Sequence, residues 1–559
     1  MNNKKNIILE EYENEFSYKK NKTNLDIKFN RIAFIFFVFL MISVIYSIQL
    51  LHLGSLKVNS ETKSIPSVKD YRADMVDRNG NYLVKSVKSI DIGISPIEVI
   101  DKQKLLINLK WIFPKKDYVE VEKKLNKKTF FKFEKKISST NYQKIMSLGD
   151  KSIRSEEQLT RIYPQKNLFS HIIGQIDNEN NGISGLEKSF DEELKQRNKP
   201  LQLTVDTDIQ FLIREELVKF QSIFRSKGSA AILMNVNNGE IISMVSYPDF
   251  DLNKRKKIID LNFINRATKG VYELGSVFKT FTVAAALEEG LIDVDTKFLD
   301  LPKKIYCAGK PIREYNNKIP SDLTTEQILI RSGNIGSVRI GQKLEIIKLK
   351  AFLDKIGILS KIKFDIEEVG EPISFKWGKC KLATVSFGHG ITTTPLQLAK
   401  AYAIISNGGF EVEPSLIKKE LKDYQKKKRI IKEGISEKVN LILRKIVATK
   451  EGTAGLANIK GYEVGGKTGT AEKSIVGGYT RKAKINTFAG IFPASNPKYV
   501  LIVLLDEPKT SSDYVYEYKN KKGLYKGTPF NTAGWTAVEV AGKIIEKIGP
   551  ILATKHIEN

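Results

Sequence analysis

Three short clusters in this 559-residue chain carry residue types suited to acyl transfer. The first is Gly275-Ser276-Val277-Phe278-Lys279. Ser276 stands where a helical pattern begins, and that pattern ends at Gly290. Residues three apart share a helix face, so Ser276 and Lys279 point the same way. The positive end of a helix dipole suits a developing oxyanion. A lysine amine accepts a hydroxyl proton once it is neutral, and burial or a second cation lowers its pKa toward that state. Alone, the motif is weak: Ser-x-x-Lys occurs often by chance, and an N-cap serine with a solvated lysine is the commoner reading. The second cluster is Arg331-Ser332-Gly333-Asn334, 56 residues after Ser276. A hydroxyl and a carboxamide two apart on a tight loop can face one cleft, or simply make a turn. The third is Gly465-Gly466-Lys467-Thr468-Gly469-Thr470-Ala471. Counted from Gly461 it also fits the phosphate-loop pattern G-x-x-x-x-G-K-[ST]. A phosphate loop follows a buried strand and opens a helix. Here polar Asn458-Ile459-Lys460 precedes it, and Gly469 follows at once. The better reading is a strand edge that carries Lys467 beside the Thr468 and Thr470 hydroxyls, with Gly469 letting a substrate backbone approach closely.

The surrounding elements fit such a site. AAILMNV and EIISMVSYP are β runs around Asn237-Asn238-Gly239, a strong hairpin signal. NTFAGIFP and KYVLIVLLDEP are two more, around Ala494-Ser495-Asn496-Pro497. Helical patterns such as FKTFTVAAALEEG and TPLQLAKAYAIISNGG lie between the hairpins, and TAVEVAGKIIEKI follows them. The economical arrangement joins early and late strands into one antiparallel sheet, flanked by helices, with a helical insert between. Residues 100–165 are Lys-rich with weak periodicity and read as a mixed, partly helical module. GISGLEKSFDEEL reads as a short helix with Leu186, Phe190 and Leu194 on one face, and a boundary falls near residues 198–203.

Ser-x-x-Lys, Ser-x-Asn and Lys-Thr-Gly, in that order, are together far more specific than any one of them. They form the signature set of penicillin-binding proteins and serine β-lactamases. From about residue 30 onward the chain resembles a class B penicillin-binding protein, a membrane-anchored D,D-transpeptidase that cross-links peptidoglycan. RADMVDRNG, HIIGQ, NRATKGVYELGSVFK, FGHGITTTPLQLAKAYAIISNGG and GTAGLANIKGYEVGGKTGTAEK carry the likeness further. The pedestal motifs and the ending TAGWTAVEVAGKII look more like the septal, cell-division branch than the elongation branch. Leu274 and Ala73 stand where the family usually has Pro and Gly, and the last helical segment lacks a usual Pro. The resemblance implies an α/β penicillin-binding/β-lactamase-like transpeptidase domain on an N-terminal mixed α+β pedestal.

It also implies roles. Ser276 is the nucleophile and Lys279 its base, with Lys467 holding Lys279 neutral. Ser332 relays a proton to the leaving D-Ala, and Asn334 binds the donor peptide amide. Thr468 and Thr470, with Gly469 between them, bind the terminal carboxylate. The backbone N–H groups of Ser276 and Thr470 form the oxyanion hole. The implied partners are peptidoglycan stem peptides, β-lactams, a polytopic septal glycan polymerase and other division-machinery membrane proteins. No cofactor is implied. A carboxypeptidase or β-lactamase of the same fold, and a non-enzymatic β-lactam sensor or scaffold, stay open as alternatives.

Residues 32–51, IAFIFFVFLMISVIYSIQLL, are long enough to cross a bilayer and apolar on every face. Lys19, Lys20, Lys22, Lys28 and Arg31 precede the run, against only Lys57 and Lys63 after it. The positive-inside rule then expects a cytoplasmic N-terminus, one inner-membrane span and an extracytoplasmic, periplasmic body. The net charge of +27 could point to nucleic acid. An outside body makes that partner unexpected, and a Lys-rich composition accounts for most of it. Cys307 and Cys380 cannot make a disulfide framework and are expected to be unpaired. With four His and no Cys/His cluster, no metal site is expected. His389 reads as a turn or sheet-edge residue, and Asp77-Arg78 as a structural turn packed on the pedestal. The expected organisation is a tail at 1–31, an anchor at 32–53, a pedestal at 54–200, the transpeptidase domain at 201–550 and a tail at 551–559.

Overall fold

A computed structural model describes residues 24–55, 71–254, 263–419, 428–475, 478–518 and 523–555. The chain divides into two units, Met1–Lys69 and Asp70–Asn559. Among its described residues the first holds one helix, α1 (Asn24–Ser55). Its apolar stretch Ala33–Leu51 is exposed along its whole length. Nothing among the described residues buries it, as suits a helix made to lie in lipid. The helix passes both ends of the expected 32–53 span. Lys19, Lys20, Lys22, Lys57 and Lys63 lie outside the described residues.

The second unit opens with the pedestal. Strands β1 (Met75–Val76) and β2 (Tyr82–Ile94) flank the Asp77-Arg78-Asn79-Gly80 turn. The Asp77 carboxylate accepts the N–H groups of Asn79 (2.9 Å) and Asn81 (2.8 Å), and Gly80 supplies the positive φ of 86°. Helices α2 (Lys102–Ile112) and α3 (Tyr118–Leu125), strand β3 (Phe131–Ile137), helix α4 (Ser139–Met146) and strand β4 (Ile153–Ile162) form the Lys-rich module. Asp101, Asp117 and Ser138 cap its helices. Leu105, Leu109, Val121, Leu125 and Ile145 close a small core against Ile92, Ile94 and Phe133 of the strands. Strands β3 and β4 pair antiparallel with β2. Strand β5 (Leu201–Gln202) adds parallel to β1.

RADMVDRNG and GISGLEKSFDEEL meet in a buried charge cluster. Glu187 accepts Arg72 Nε at 2.5 Å and Arg161 Nε at 2.9 Å, and Arg72 also donates to Asp191 at 2.6 Å. The expected single helix over GISGLEKSFDEEL is two short ones, Gly185–Ser189 and Asp191–Gln196. Leu186 and Leu194 are still buried, and Phe190 packs against the same core.

Beyond the pedestal come helix α5 (Thr207–Phe224) and the hairpin of β6 (Gly228–Asn235) and β7 (Ile241–Tyr247). A 3₁₀ turn (Gly275–Phe278) runs into α6 (Lys279–Glu288), whose residues through Leu287 are all buried. The insert brings a small hairpin, β8 (Lys304–Cys307) with β9 (Lys310–Arg313). Helices α7 (Thr325–Ile330), α8 (Asn334–Lys355, broken at Glu345), α9 (Lys379–Val385), α10 (Pro395–Ser406) and α11 (Glu433–Ala448) follow. Strands β10 (Gly465–Ile475), β11 (Gly478–Phe492) and β12 (Tyr499–Asp506) then complete the sheet, and α12 (Ala537–Lys555) ends the described chain. The order is β10-β11-β12-β6-β7, antiparallel throughout. Tyr499 pairs with Asn235 and Asp506 with Gly228, joining late to early strands as the sequence predicts. Every residue of β12 is buried, so both faces of the sheet are covered.

Three expectations change. Cys307 and Cys380 are not unpaired: they form a disulfide, with Cα atoms 5.5 Å apart. Their separation of 73 residues carries no local signal, and only the folding of the insert brings β8 to α9. The Asp77 turn does more than pack on the pedestal. Its carboxylate accepts the Thr207 hydroxyl at 2.6 Å, Asn79 donates to Asp206 at 2.9 Å, and Arg78 pairs with Glu240 at 3.1 Å. Helix α12 continues through Lys555, beyond the boundary expected at residue 550.

Candidate active site

Three backbone contacts set the nucleophile turn. Gly275 has φ +64°, and a Cβ there would stand 2.8 Å from Thr470 O. A Cβ on Gly469 would meet Leu274 O at 2.1 Å, and one on Gly388 would meet Gly275 O at 1.9 Å. Glycine is what lets β10 and the Phe387–Gly390 loop close on the Ser276 turn. Tyr402, fully buried on α10, donates to Val277 O at 2.9 Å and fixes the turn from beneath.

Ser276 is partly exposed and makes no side-chain hydrogen bond among the described residues. The Lys279 amine, fully buried, lies 2.5 Å from Ser332 O, 3.2 Å from Ser332 Oγ and 2.7 Å from Asn334 Oδ1. Lys467, equally buried, reaches Ser332 Oγ at 2.8 Å and Thr468 O at 3.2 Å. One hydroxyl therefore stands between two lysines. Ser332 holds that place from a left-handed backbone, φ 56°.

Burial draws Lys279 down to about 7, against the opposing pull of the Glu314 carboxylate. Burial also takes Lys467 well below the ordinary lysine range, and the charge of Lys279 lowers it further. Desolvation, more than the neighbouring cation, is thus what brings Lys279 near neutrality. A neutral amine has two N–H bonds and one lone pair. Ser332 O and Asn334 Oδ1 can only accept, so together they engage both hydrogens. The lone pair is left for a hydroxyl proton.

All the predicted residues come together here, in part with partners the sequence did not suggest. Asn334 is engaged at both ends of its carboxamide, accepting from Lys279 and donating from Nδ2 to Arg313 O at 2.8 Å. It has one N–H left for a peptide. Thr470 Oγ1 accepts the Ala533 N–H at 2.9 Å, which leaves its own proton to donate. Thr468 Oγ1 lies 2.7 Å from the Thr453 hydroxyl. His389 faces Glu273 and stacks on Phe387. Its Nδ1 is 3.5 Å from Glu273, whose carboxylate also accepts the Gly390 N–H at 2.8 Å. Sequence reasoning missed Glu314, Thr453 and Tyr402, none of which sits in a chemically suggestive pattern. No acid/His/Cys group able to hold a metal occurs among the described residues.

Comparison with known proteins places the chain in a family. Residues 229–525 match the penicillin binding protein transpeptidase domain, and residues 67–219 the penicillin-binding protein dimerisation domain. The chain is 31% identical to the probable peptidoglycan D,D-transpeptidase FtsI of Caulobacter vibrioides, covering 88% of this chain and 82% of that one. It is 28% identical to stage V sporulation protein D of Bacillus subtilis, over 91% of this chain and 82% of that one. The crystal structure of penicillin binding protein 3 from Mycobacterium tuberculosis, complexed with aztreonam, shares the fold. Its TM-score is 0.64 at 21% identity, over 86% of this chain and 96% of that one.

Proposed function

This chain belongs to the class B penicillin-binding proteins, and from that membership we propose that it is a serine-type peptidoglycan D,D-transpeptidase acting in septal wall synthesis. The observation that carries the reading is the Ser332 hydroxyl held between two buried lysines, of which Lys279 lies one turn after the partly exposed Ser276. Neutral Lys279 takes the Ser276 proton as Oγ attacks the carbonyl of the penultimate D-Ala in a stem pentapeptide. The N–H groups of Ser276 and Thr470 receive the oxyanion. As the C–N bond breaks, the proton passes through Ser332 Oγ to the leaving D-Ala amine, and an ester on Ser276 remains. An amine of a neighbouring strand attacks that ester, gives up its proton by the same route and frees Ser276. Thr468 and Thr470 hold the donor's terminal carboxylate beside Lys467. Penicillins stop the cycle at the ester.

The exposed apolar helix supports anchoring in the inner membrane, and lysine asymmetry supports a cytoplasmic N-terminus. The disulfide fits a body in an oxidising compartment. Likeness to a relative named FtsI supports the septal assignment, and with it a polytopic glycan polymerase and other division-machinery proteins as partners. Purified protein, supplied with a glycan polymerase and lipid-linked pentapeptide precursor, should release D-alanine and form cross-linked dimers. The Ser276→Ala variant should do neither. Intact pentapeptides with the wild type would sink the enzymatic reading. Depleting the protein should give filaments, and round cells would overturn the septal role alone.

A further inference from the structure

Three consecutive residues, Arg313, Glu314 and Tyr315, grip the loop that carries Ser332 and Asn334. Tyr315 donates its hydroxyl to Arg331 O at 3.0 Å, just before Ser332. Glu314 accepts the Asn334 N–H at 2.7 Å with one oxygen and the Ile335 N–H at 2.9 Å with the other. Arg313 O accepts Asn334 Nδ2 at 2.8 Å.

We propose that Glu314 is a positioning residue for acylation, acting through Asn334 on Lys279. The first N–H groups of a helix have no partner within it. The N-cap of α8 is Gly333, which has no side chain to offer. Glu314 fills that role from a separate strand end and places a negative charge at the positive end of the helix. Because a carbonyl can only accept, Arg313 O fixes Asn334 with its NH₂ outward and Oδ1 toward Lys279. That orientation engages one N–H of Lys279 and helps aim its lone pair. The grip is itself braced, since Glu314 directly follows the β8–β9 hairpin that Cys307 ties to α9.

This inference rests on Lys279 as the base, and one experiment separates the two claims. The rate constant for acylation by a soluble penicillin is measured against pH on the full-length protein in detergent. Wild type should lose rate below about pH 7, as Lys279 gains its proton. Glu314→Gln keeps the shape but removes the counter-charge and one acceptor. Its plateau rate should fall about tenfold, and its acid limb should move down by about half a pH unit or more. Glu314→Asp keeps the charge, so its limb should stay in place whatever its plateau. A merely structural role would lower the Glu314→Gln rate at every pH and leave the limb unmoved, and that result overturns the proposal alone. So does a downward shift in Glu314→Asp; if Glu314→Gln does not fold, Glu314→Ala, which also removes the charge, is read for the same downward shift of the limb. A wild type with no acid limb overturns the base assignment and this proposal together.

Discussion

At the scale of single residues, the site depends on charge withheld. Two ammonium groups around one buried hydroxyl disfavour each other's charge, and burial opposes the charge of each. The sign of the pH dependence follows. Lys279, drawn down to about 7, is a base above that pH and an ammonium below it, so acylation is present on the alkaline side and lost on the acid side. Ser332 is the link between the lysines. Replacing it with Ala should slow acylation by a soluble penicillin by about 10²–10⁴, as read by stopped-flow on Ser332→Ala. A rate within a factor of three of wild type would show that the hydroxyl relays nothing. The three motifs were legible because residue types and order survive in the sequence. The engagement of Asn334 by Arg313 was not, because a backbone carbonyl leaves no mark on residue type.

At the scale of elements, glycines decide how closely the catalytic loops approach. Gly388 has φ +87° and lies against Gly275 O, so Gly388→Ala meets both a backbone clash and a strained conformation. It should cost about 1–3 kcal/mol of stability and slow acylation at least tenfold, as seen by thermal unfolding and penicillin binding. Unchanged binding would mean that this loop does not shape the nucleophile turn. The hairpins around Asn237-Asn238-Gly239 and Ala494–Pro497 could be read directly, since their turn residues have local causes. Their pairing through β6 and β12 needed a topological argument. The Cys307–Cys380 bridge had no local cause at all, and the expectation of free thiols failed for that reason. The single helix expected over GISGLEKSFDEEL followed the spacing of Leu186, Phe190 and Leu194, which two short helices satisfy equally well.

At the scale of the whole molecule, the excess of lysine resolves into surface and site. Of the lysines among the described residues, only Lys279 and Lys467 are buried, and both are in the site. The motifs far from the chemistry serve the body that carries it. Arg72, Glu187, Arg161 and Asp191 knit the pedestal, and the Asp77 turn joins it to the start of α5. Arg72→Ala would leave Glu187 short of a partner in a buried setting. It should destabilise the second unit by about 3–5 kcal/mol, measured by denaturant unfolding of purified protein. A loss below about 1 kcal/mol would reduce the cluster to a surface-like ion pair.

The central claim is that Ser276 carries the acyl group. The most direct test is mass spectrometry of the full-length protein after incubation with a penicillin. Wild type should gain the mass of one penicillin, located on the peptide containing Ser276, and Ser276→Ala should gain none. A Ser276→Ala variant modified as fully as wild type, or an adduct on another residue, would contradict the account.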